Sequence, residues 1–341
     1  MFLRPRLFGL RSFELRPYPA LSRRGWGNFF LGKNQKVRRG RSKLKKLSGA
    51  VKIEGMSEKP KIGFIGQGWI GKNYADNFVE RGFEVIRYAL EPEHAGNKEK
   101  IIDCDIVFIA VPTPTTPAGF DDSIVRQAVA LVGQGKIAVI KSTILPGTTE
   151  SIQAQYPEVF VFHSPEFLTE RTAAYDVSNP GRNIIGSSIE SELYHQKAEF
   201  VLSNLPPAPI HMVCRAREAE LFKYGRNCFF YTKVIFMNML YDLAEKNNCR
   251  WEVLHEIMTA DPWIGNMHID PVHKSGRGAG GHCFIKDYAA LADFYKKTVG
   301  DKNGLDIFIA TEKKNIELLL QTNKDLDLLK GVYGDEAIKG K

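Results

Sequence analysis

The sequence predicts an α/β fold: a doubly wound parallel sheet, followed by an all-helical region built on one long central helix. Three observations predict it. From Lys61 to about Gly186, short apolar runs alternate with helix-like segments, the pattern of strand–helix–strand units. The first run, Ile62 to Ile65, leads straight into Gly66, Gly68 and Gly71. Beyond Arg215 the strand-like runs stop, and residues 216–246 have few breakers and too many apolar positions for a half-exposed surface helix.

Residues 1–55 precede this pattern and show no core periodicity. They carry 15 Lys and Arg against Glu14 and Glu54, whereas the other 286 residues carry 32 against 37. The net charge of +8 therefore belongs to an extension, and the body is mildly acidic. The folded part does not read as a nucleic-acid binder; such a contact is conceivable only through the basic extension. Three readings of that extension stay open: an organelle-targeting segment, Arg-rich and acid-poor; a disordered basic arm; or an upstream extension of a chain that starts at Met56. The expected division is a basic, disordered extension over 1–57, a dinucleotide-binding domain over 58–209, a helical central and dimerisation domain over 210–325, and a tail over 326–341.

Strand, glycine turn and helix follow one another at Lys61–Gly71, and a second apolar run comes at Phe83–Ile86. Gly66 suits the sharp turn, Gly68 close approach to a pyrophosphate, and Gly71 close helix–strand packing. Free N–H groups at the helix start then face the phosphates. This is a Rossmann-type dinucleotide site. An acidic residue is expected at the end of the second strand to hold ribose hydroxyls, but Tyr88 stands there after Arg87, and Glu91 is the nearest carboxylate. NAD is the expected cofactor, with NADP open because Arg87 suits a 2′-phosphate.

Ile106–Val111, Ile137–Ile140 and Val159–Phe162 read as further strands, Ser123–Val132 as a helix, and Ile184–Ile185 as a last short strand. Ligands gather at the carboxyl ends of such strands, where Pro112–Thr115, Ser142–Thr143 and Pro165–Glu166 stand, with Glu170 beyond. Leu205–Pro209 is a stiff break. On the long helix Lys223 and Asn227 lie four apart and share a face. Trp251–Met258, Tyr288–Lys296 and Ile307–Leu320 read as helices. Between them, Gly276, Gly278, Gly280 and Gly281 imply unusual backbone angles or close ligand approach. Cys283 follows, near a helix start with Lys286 close by, a setting that lowers a thiol pKa. The other cysteines, Cys104, Cys214, Cys228 and Cys249, lack CxxC spacing; neither a disulfide framework nor a metal site is expected. The longest apolar run, Cys228–Leu243, is too short and too polar for a membrane span.

Together, GQGWIG at 66–71, VPTPT at 111–115, KSTILPGTT at 141–149, SPEFLTE at 164–170, NPGRNIIG at 179–186, EAELFKYGRN at 218–227 and GAGGHCFIKD at 278–287 resemble the UDP-glucose and GDP-mannose 6-dehydrogenase family over about residues 61–290. The glycines are generic, whereas the cysteine, PEF and KxxxN motifs are specific. The resemblance implies an NAD-dependent, two-step, four-electron oxidation of a nucleotide sugar. The C6 alcohol becomes an aldehyde, a cysteine captures it as a thiohemiacetal, and a second hydride loss gives a thioester that water hydrolyses to a carboxylate. It implies Cys283 as nucleophile, Lys223 and Asn227 as oxyanion stabilisers, and Thr143, Glu170 and Asp287 as the set that prepares water. Cofactor contacts fall on Gly66, Gly68, Trp69, Ile70, Gly71, Val111, Pro112, Thr113, Thr143 and Lys286. Substrate contacts fall on Glu166, Phe167, Leu168, Gly280, Lys223 and Asn227. It also implies a cytoplasmic homodimer through the long helix and a product used in polysaccharide synthesis.

Ile285 replaces the family's usual proline and Arg277 a usual aromatic. The family's further α/β domain, which grips the nucleotide, is expected to be missing, since the chain stops about fifty residues after Asp287. Two alternatives therefore stay open: a one-step dehydrogenase on a smaller hydroxy compound, and a catalytically inactive NAD-binding or assembly protein.

Overall fold

The computed structural model describes residues 59–339; the readings placed on 1–57 lie outside them. Seven strands form the main sheet: β1 (Ile62–Ile65), β2 (Val85–Tyr88), β3 (Ile106–Ile109), β4 (Ile137–Ile140), β5 (Phe160–His163), β6 (Asn183–Ser187) and β7 (His211–Arg215). Their order is β2-β1-β3-β4-β5-β6-β7. The first five are parallel, in register through Ile62, Ile106, Ile137 and Phe160. The chain reverses between β5 and β6, which pair antiparallel, and β7 runs parallel to β6. The sheet is thus doubly wound as expected, with a mixed edge. Its last strand lies beyond the Leu205–Pro209 break, so the sheet takes in residues that the sequence alone assigns to the helical part.

Alternation along the strands sets the two faces. Ile62, Phe64, Phe108, Val139 and Phe162 point to one side, where α1 (Trp69–Glu80) contributes Phe78 to the core. Ile65, Val107, Ile109, Ile140 and Val161 point to the other, against Val125 and Val129 of α2 (Ser123–Val129) and Ile152 of α3 (Thr148–Gln155). The first side is completed by α4 (Ala173–Ser178) and α5 (Glu192–Asn204) through Val177, Tyr194 and Val201. Burying each such side chain contributes about 1.5–3 kcal/mol. The second strand begins two residues later than its apolar run suggests, because Phe83 packs edge-on against Phe78 at 5.0 Å instead of joining the sheet.

The helical part is built on α6 (Ala216–Lys246), whose bounds match the sequence reading. It is followed by α7 (Trp251–Ala260), α8 (Gly281–Thr298), α9 (Lys302–Thr322) and α10 (Leu326–Tyr333). Tyr231 of α6 stacks on Tyr288 of α8 at 4.0 Å, and Leu318 of α9 joins the same core. Residues 326–341 read as a weakly patterned tail, yet α10 buries Leu329 and Val332 against Ile285 and Leu319. Its apolar face is only two turns long, too short to stand out among the surrounding charges. Among the described residues no helix is long and apolar enough to cross a membrane.

Candidate active site

The strand order reverses between β1 and β3, the switch point where a doubly wound sheet opens a crevice. Gly66 ends β1 with φ +90°, and a Cβ there would lie 2.2 Å from the Ala110 carbonyl oxygen. A Cβ on Gly71 would lie 2.0 Å from the Gly66 oxygen, so α1 can pack this close only with glycine there. Gly68 caps α1 without a side-chain hydrogen bond, the first turn holds no acidic residue, and nothing lies within 4 Å of where its Cβ would be. Helix N–H groups thus face open space, which fits a pyrophosphate.

Two loops close the other side of this cradle. Ser142 Oγ accepts from the Val111 N–H at 3.0 Å and donates to the Val111 oxygen at 2.7 Å. Thr113 Oγ1 donates to the Thr143 carbonyl at 2.8 Å. Behind them, the buried Glu220 of α6 accepts from the N–H groups of Gly147 and Thr149 at 2.6 and 2.8 Å and from Thr149 Oγ1 at 2.5 Å. Burial pushes the Glu220 carboxyl up, against these hydrogen bonds. The resulting cleft, about 940 Å³, is lined by Gly66, Gly68, Trp69, Ile70, Val111, Pro112, Thr113 and Thr143, and also by Glu166, Cys283 and Lys286. At the ribose end Tyr88, Glu91 and Lys98 line it. Arg87 does not: it is tied to Asp76 of α1 at 2.7 Å, which removes the sequence argument for a 2′-phosphate.

One turn of α6 carries the polar centre. Lys223 Nζ donates to Glu166 Oε1 and to the Glu166 carbonyl, both at 2.8 Å, and both side chains are buried. Glu166 is held in turn by the Leu168 N–H at 2.8 Å. Asn227 Nδ2 donates to Asp287 Oδ2 at 2.7 Å, and Lys286 Nζ donates to Asp287 Oδ1 at 2.6 Å. Cys283 lies one turn before Asp287 on α8, half-buried in the cleft wall. The lowered thiol pKa expected from the helix start and Lys286 is not what the environment produces. Burial pushes the Cys283 thiol up and Asp287 adds to this, outweighing Lys223 and Lys286. For Lys286, burial is opposed and outweighed by Asp287, and its pKa is raised.

Glu170 is not brought into this group: its side chain is 73% exposed and pairs with Lys274 at 3.5 Å. Gly280 faces the chain itself, since a Cβ there would lie 2.0 Å from Asp325 Oδ2. The glycine-rich turn is clamped from the far end of the sequence. Asn315 exchanges two hydrogen bonds with the Ala279 backbone at 2.7 and 2.9 Å, Lys324 Nζ donates to the Gly278 oxygen at 2.9 Å, and Asp325 accepts from the Gly281 N–H at 2.7 Å. Arg277 reaches α6, donating to Asn238 and pairing with Asp242. Phe167 meets Phe222 edge-on at 5.6 Å. Glu220 and Asn315 were not legible as site residues, because each acts through a partner remote in sequence. Among the described residues no side-chain cluster could hold a metal ion.

Residues 93–201 match the model of the UDP-glucose/GDP-mannose dehydrogenase family, NAD binding domain, and residues 217–315 match the central domain of the same family. The chain is 32% identical to a UDP-glucose 6-dehydrogenase of Rickettsia bellii over 71% of this chain and 55% of that one. It superposes on a UDP-glucose dehydrogenase of Pyrobaculum islandicum with TM-score 0.66 and 26% identity, covering 78% of this chain and 70% of that one. A 3-hydroxyisobutyrate dehydrogenase of Mycobacterium tuberculosis shares the fold, with TM-score 0.59 and 18% identity over 76% of this chain and 96% of that one. The chain spans about half the length of the curated relatives it matches.

Proposed function

The chain belongs to the UDP-glucose/GDP-mannose dehydrogenase family, and from that premise we propose that it oxidises the C6 alcohol of a nucleotide sugar to the carboxylate, with two NAD reduced per sugar. The observation that carries the proposal is Cys283 in the wall of the dinucleotide cleft, with Lys223, Asn227, Lys286 and Asp287 around it. NAD, bound at the Gly66–Gly71 turn and the Val111–Thr113 loop, supplies the hydride acceptor.

The residues divide the work as follows. Lys223 and Asn227, locked on one turn by Glu166 and Asp287, present an ammonium and an amide to the oxygen at C6. They favour the negative charge that develops there as the alcohol passes its proton to solvent water and its hydride to the bound cofactor. Cys283 gives its proton to the Asp287 carboxylate and, as thiolate, forms the C–S bond to the aldehyde carbon; the C=O π pair moves onto oxygen, which takes that proton back from Asp287 to give a thiohemiacetal. Loss of a second hydride and of the hydroxyl proton leaves the thioester. Water then attacks its carbonyl, Asp287 receives the water proton, and the C–S bond breaks to return the thiol and release the acid. Thr143 at the cleft wall orders that water. Glu170, exposed and paired with Lys274, stands outside this group.

The same proposal includes a homodimer in the cytoplasm. Leu221, Phe222, Phe229, Phe236, Met239 and Leu243 are all exposed along α6, and a second copy would cover them.

The test is NADH formed per sugar consumed, with NAD and UDP-glucose or GDP-mannose, for the wild type and Cys283→Ala. Two NADH per sugar, with no acid formed by the variant, is the expected result. One NADH per substrate and an active variant would establish a one-step dehydrogenase instead. Absence of turnover on every nucleotide sugar, in a chain that binds NAD, would leave the inactive binding role.

A further inference from the structure

Beside the Lys223–Glu166 pair, three cations surround one aromatic ring. Lys223 Nζ, Arg182 Cζ and Arg226 Cζ lie 5.8, 5.2 and 5.7 Å from the centroid of Phe167. Arg182 also lies 5.8 Å from the Phe222 ring, and Arg226 4.9 Å from the Phe230 ring. The two guanidiniums are thus held in place by aromatic planes, both half-buried. Lys223 has its carboxylate. Among the described residues, neither the Arg182 nor the Arg226 side chain makes a hydrogen bond or an ion pair, although other arginines of the body, such as Arg87, Arg126, Arg217 and Arg277, are paired.

Two like charges, partly desolvated and without a counterion, are unfavourable unless an anion joins them. Burial and the charge of Arg182 both push the Arg226 guanidinium down, with Glu166 opposing. Planar forks of N–H donors take up phosphoryl oxygens in pairs, which ammonium groups do less well. The phosphates of the dinucleotide are already served by the start of α1. An anion at Arg182 and Arg226 instead sits next to Lys223, on the substrate side of the reacting centre.

We infer that Arg182 and Arg226 form a phosphoryl-binding site that takes the phosphate attached to the sugar being oxidised. The inference rests on the nucleotide-sugar reading of the site and adds the group that anchors the substrate. It also gives Phe167 a role: its ring carries both guanidiniums.

The test is calorimetric titration of the NAD-loaded full chain with inorganic pyrophosphate, UDP and glucose 1-phosphate, for the wild type, Arg182→Gln, Arg226→Gln and Arg226→Lys. Loss of one charge-assisted fork predicts an affinity for pyrophosphate about tenfold to a hundredfold weaker in each Gln variant. Arg226→Lys, which keeps the charge and guards against a folding defect, is expected between Gln and wild type. NAD affinity is expected within about twofold of wild type throughout, the margin of an independent site. UDP binding more tightly than glucose 1-phosphate assigns a diphosphate, and equal binding assigns the single phosphate on the sugar. Pyrophosphate affinity indifferent to all three substitutions, or no pyrophosphate binding by the wild type, overturns the inference. The titration needs no turnover. Arg-dependent binding in a chain without dehydrogenase activity would keep the site and remove the function. Two NADH per sugar with arginine-independent binding would do the reverse.

Discussion

At the scale of single residues, the environment of Cys283 decides when it can react. Burial and Asp287 hold its pKa above the ordinary thiol value, with Lys223 and Lys286 pulling the other way. The thiolate is the reactive form, so its alkylation by iodoacetamide should accelerate with pH through a midpoint above the ~8.5 of a free cysteine. Peptide mass spectrometry separates it from the exposed Cys249; a midpoint at or below that of Cys249 would show that the two lysines dominate. Lys141 shows a related effect: burial pushes its ammonium down to about 7, although Glu166 favours the charged form, and its Nζ donates to Ser164 Oγ at 2.9 Å.

Between elements, the joint of α6 with the loop before α3 depends on one carboxylate. Glu220 satisfies three donors of Gly147 and Thr149, and the two of Thr149 are buried. Glu220→Ala leaves them unpaired and should lower unfolding stability by about 2–3 kcal/mol, read by urea denaturation at pH 7. Because the same loop holds Ser142 and Thr143, NAD affinity should fall with it. A stability unchanged within ~0.5 kcal/mol would mean that the loop finds other partners. The glycine-rich turn is a second joint. Three of its four glycines admit close approach, and the approaching groups are the chain's own: Thr322 and Lys324 at Gly276, Asn315 and Leu318 at Gly278, and Asp325 at Gly280, while Gly281 takes a φ of +81°. Composition could announce the closeness but not its partner.

For the whole molecule, the exposed apolar side chains of α6 are the feature a monomer does not explain. Phe229 is 65% exposed and Leu243 60%, and large exposed apolar patches mark association surfaces. Light scattering after size exclusion should give twice the mass of one 38.4 kDa chain, and Phe229→Glu with Phe236→Glu should return it to one while leaving the circular dichroism spectrum unchanged. A monomeric wild type at micromolar concentration would refute the dimer.

The sequence by itself determined the class of the sheet, the turn of the cradle and the single length of α6, because each is written in local periodicity or in a glycine at fixed spacing. It also placed Lys223 and Asn227 on one face of that helix, but it left Cys283 and Asp287 in a loop before a helix at Tyr288, where the structure starts α8 at Gly281. What it could not place was anything decided by contacts across the chain. The antiparallel edge depends on how the chain turns after β5, which no strand pattern records. The buried face of α10 exists only against Ile285 and Leu319. Arg87 suited a cofactor phosphate until Asp76 claimed it. Cys283 looked activated by its neighbours in sequence, and burial against α6 reversed the sign. Local propensity is short-ranged and legible in one strand of letters; desolvation and pairing are set by whichever residues the fold brings alongside, and only the tertiary structure names them.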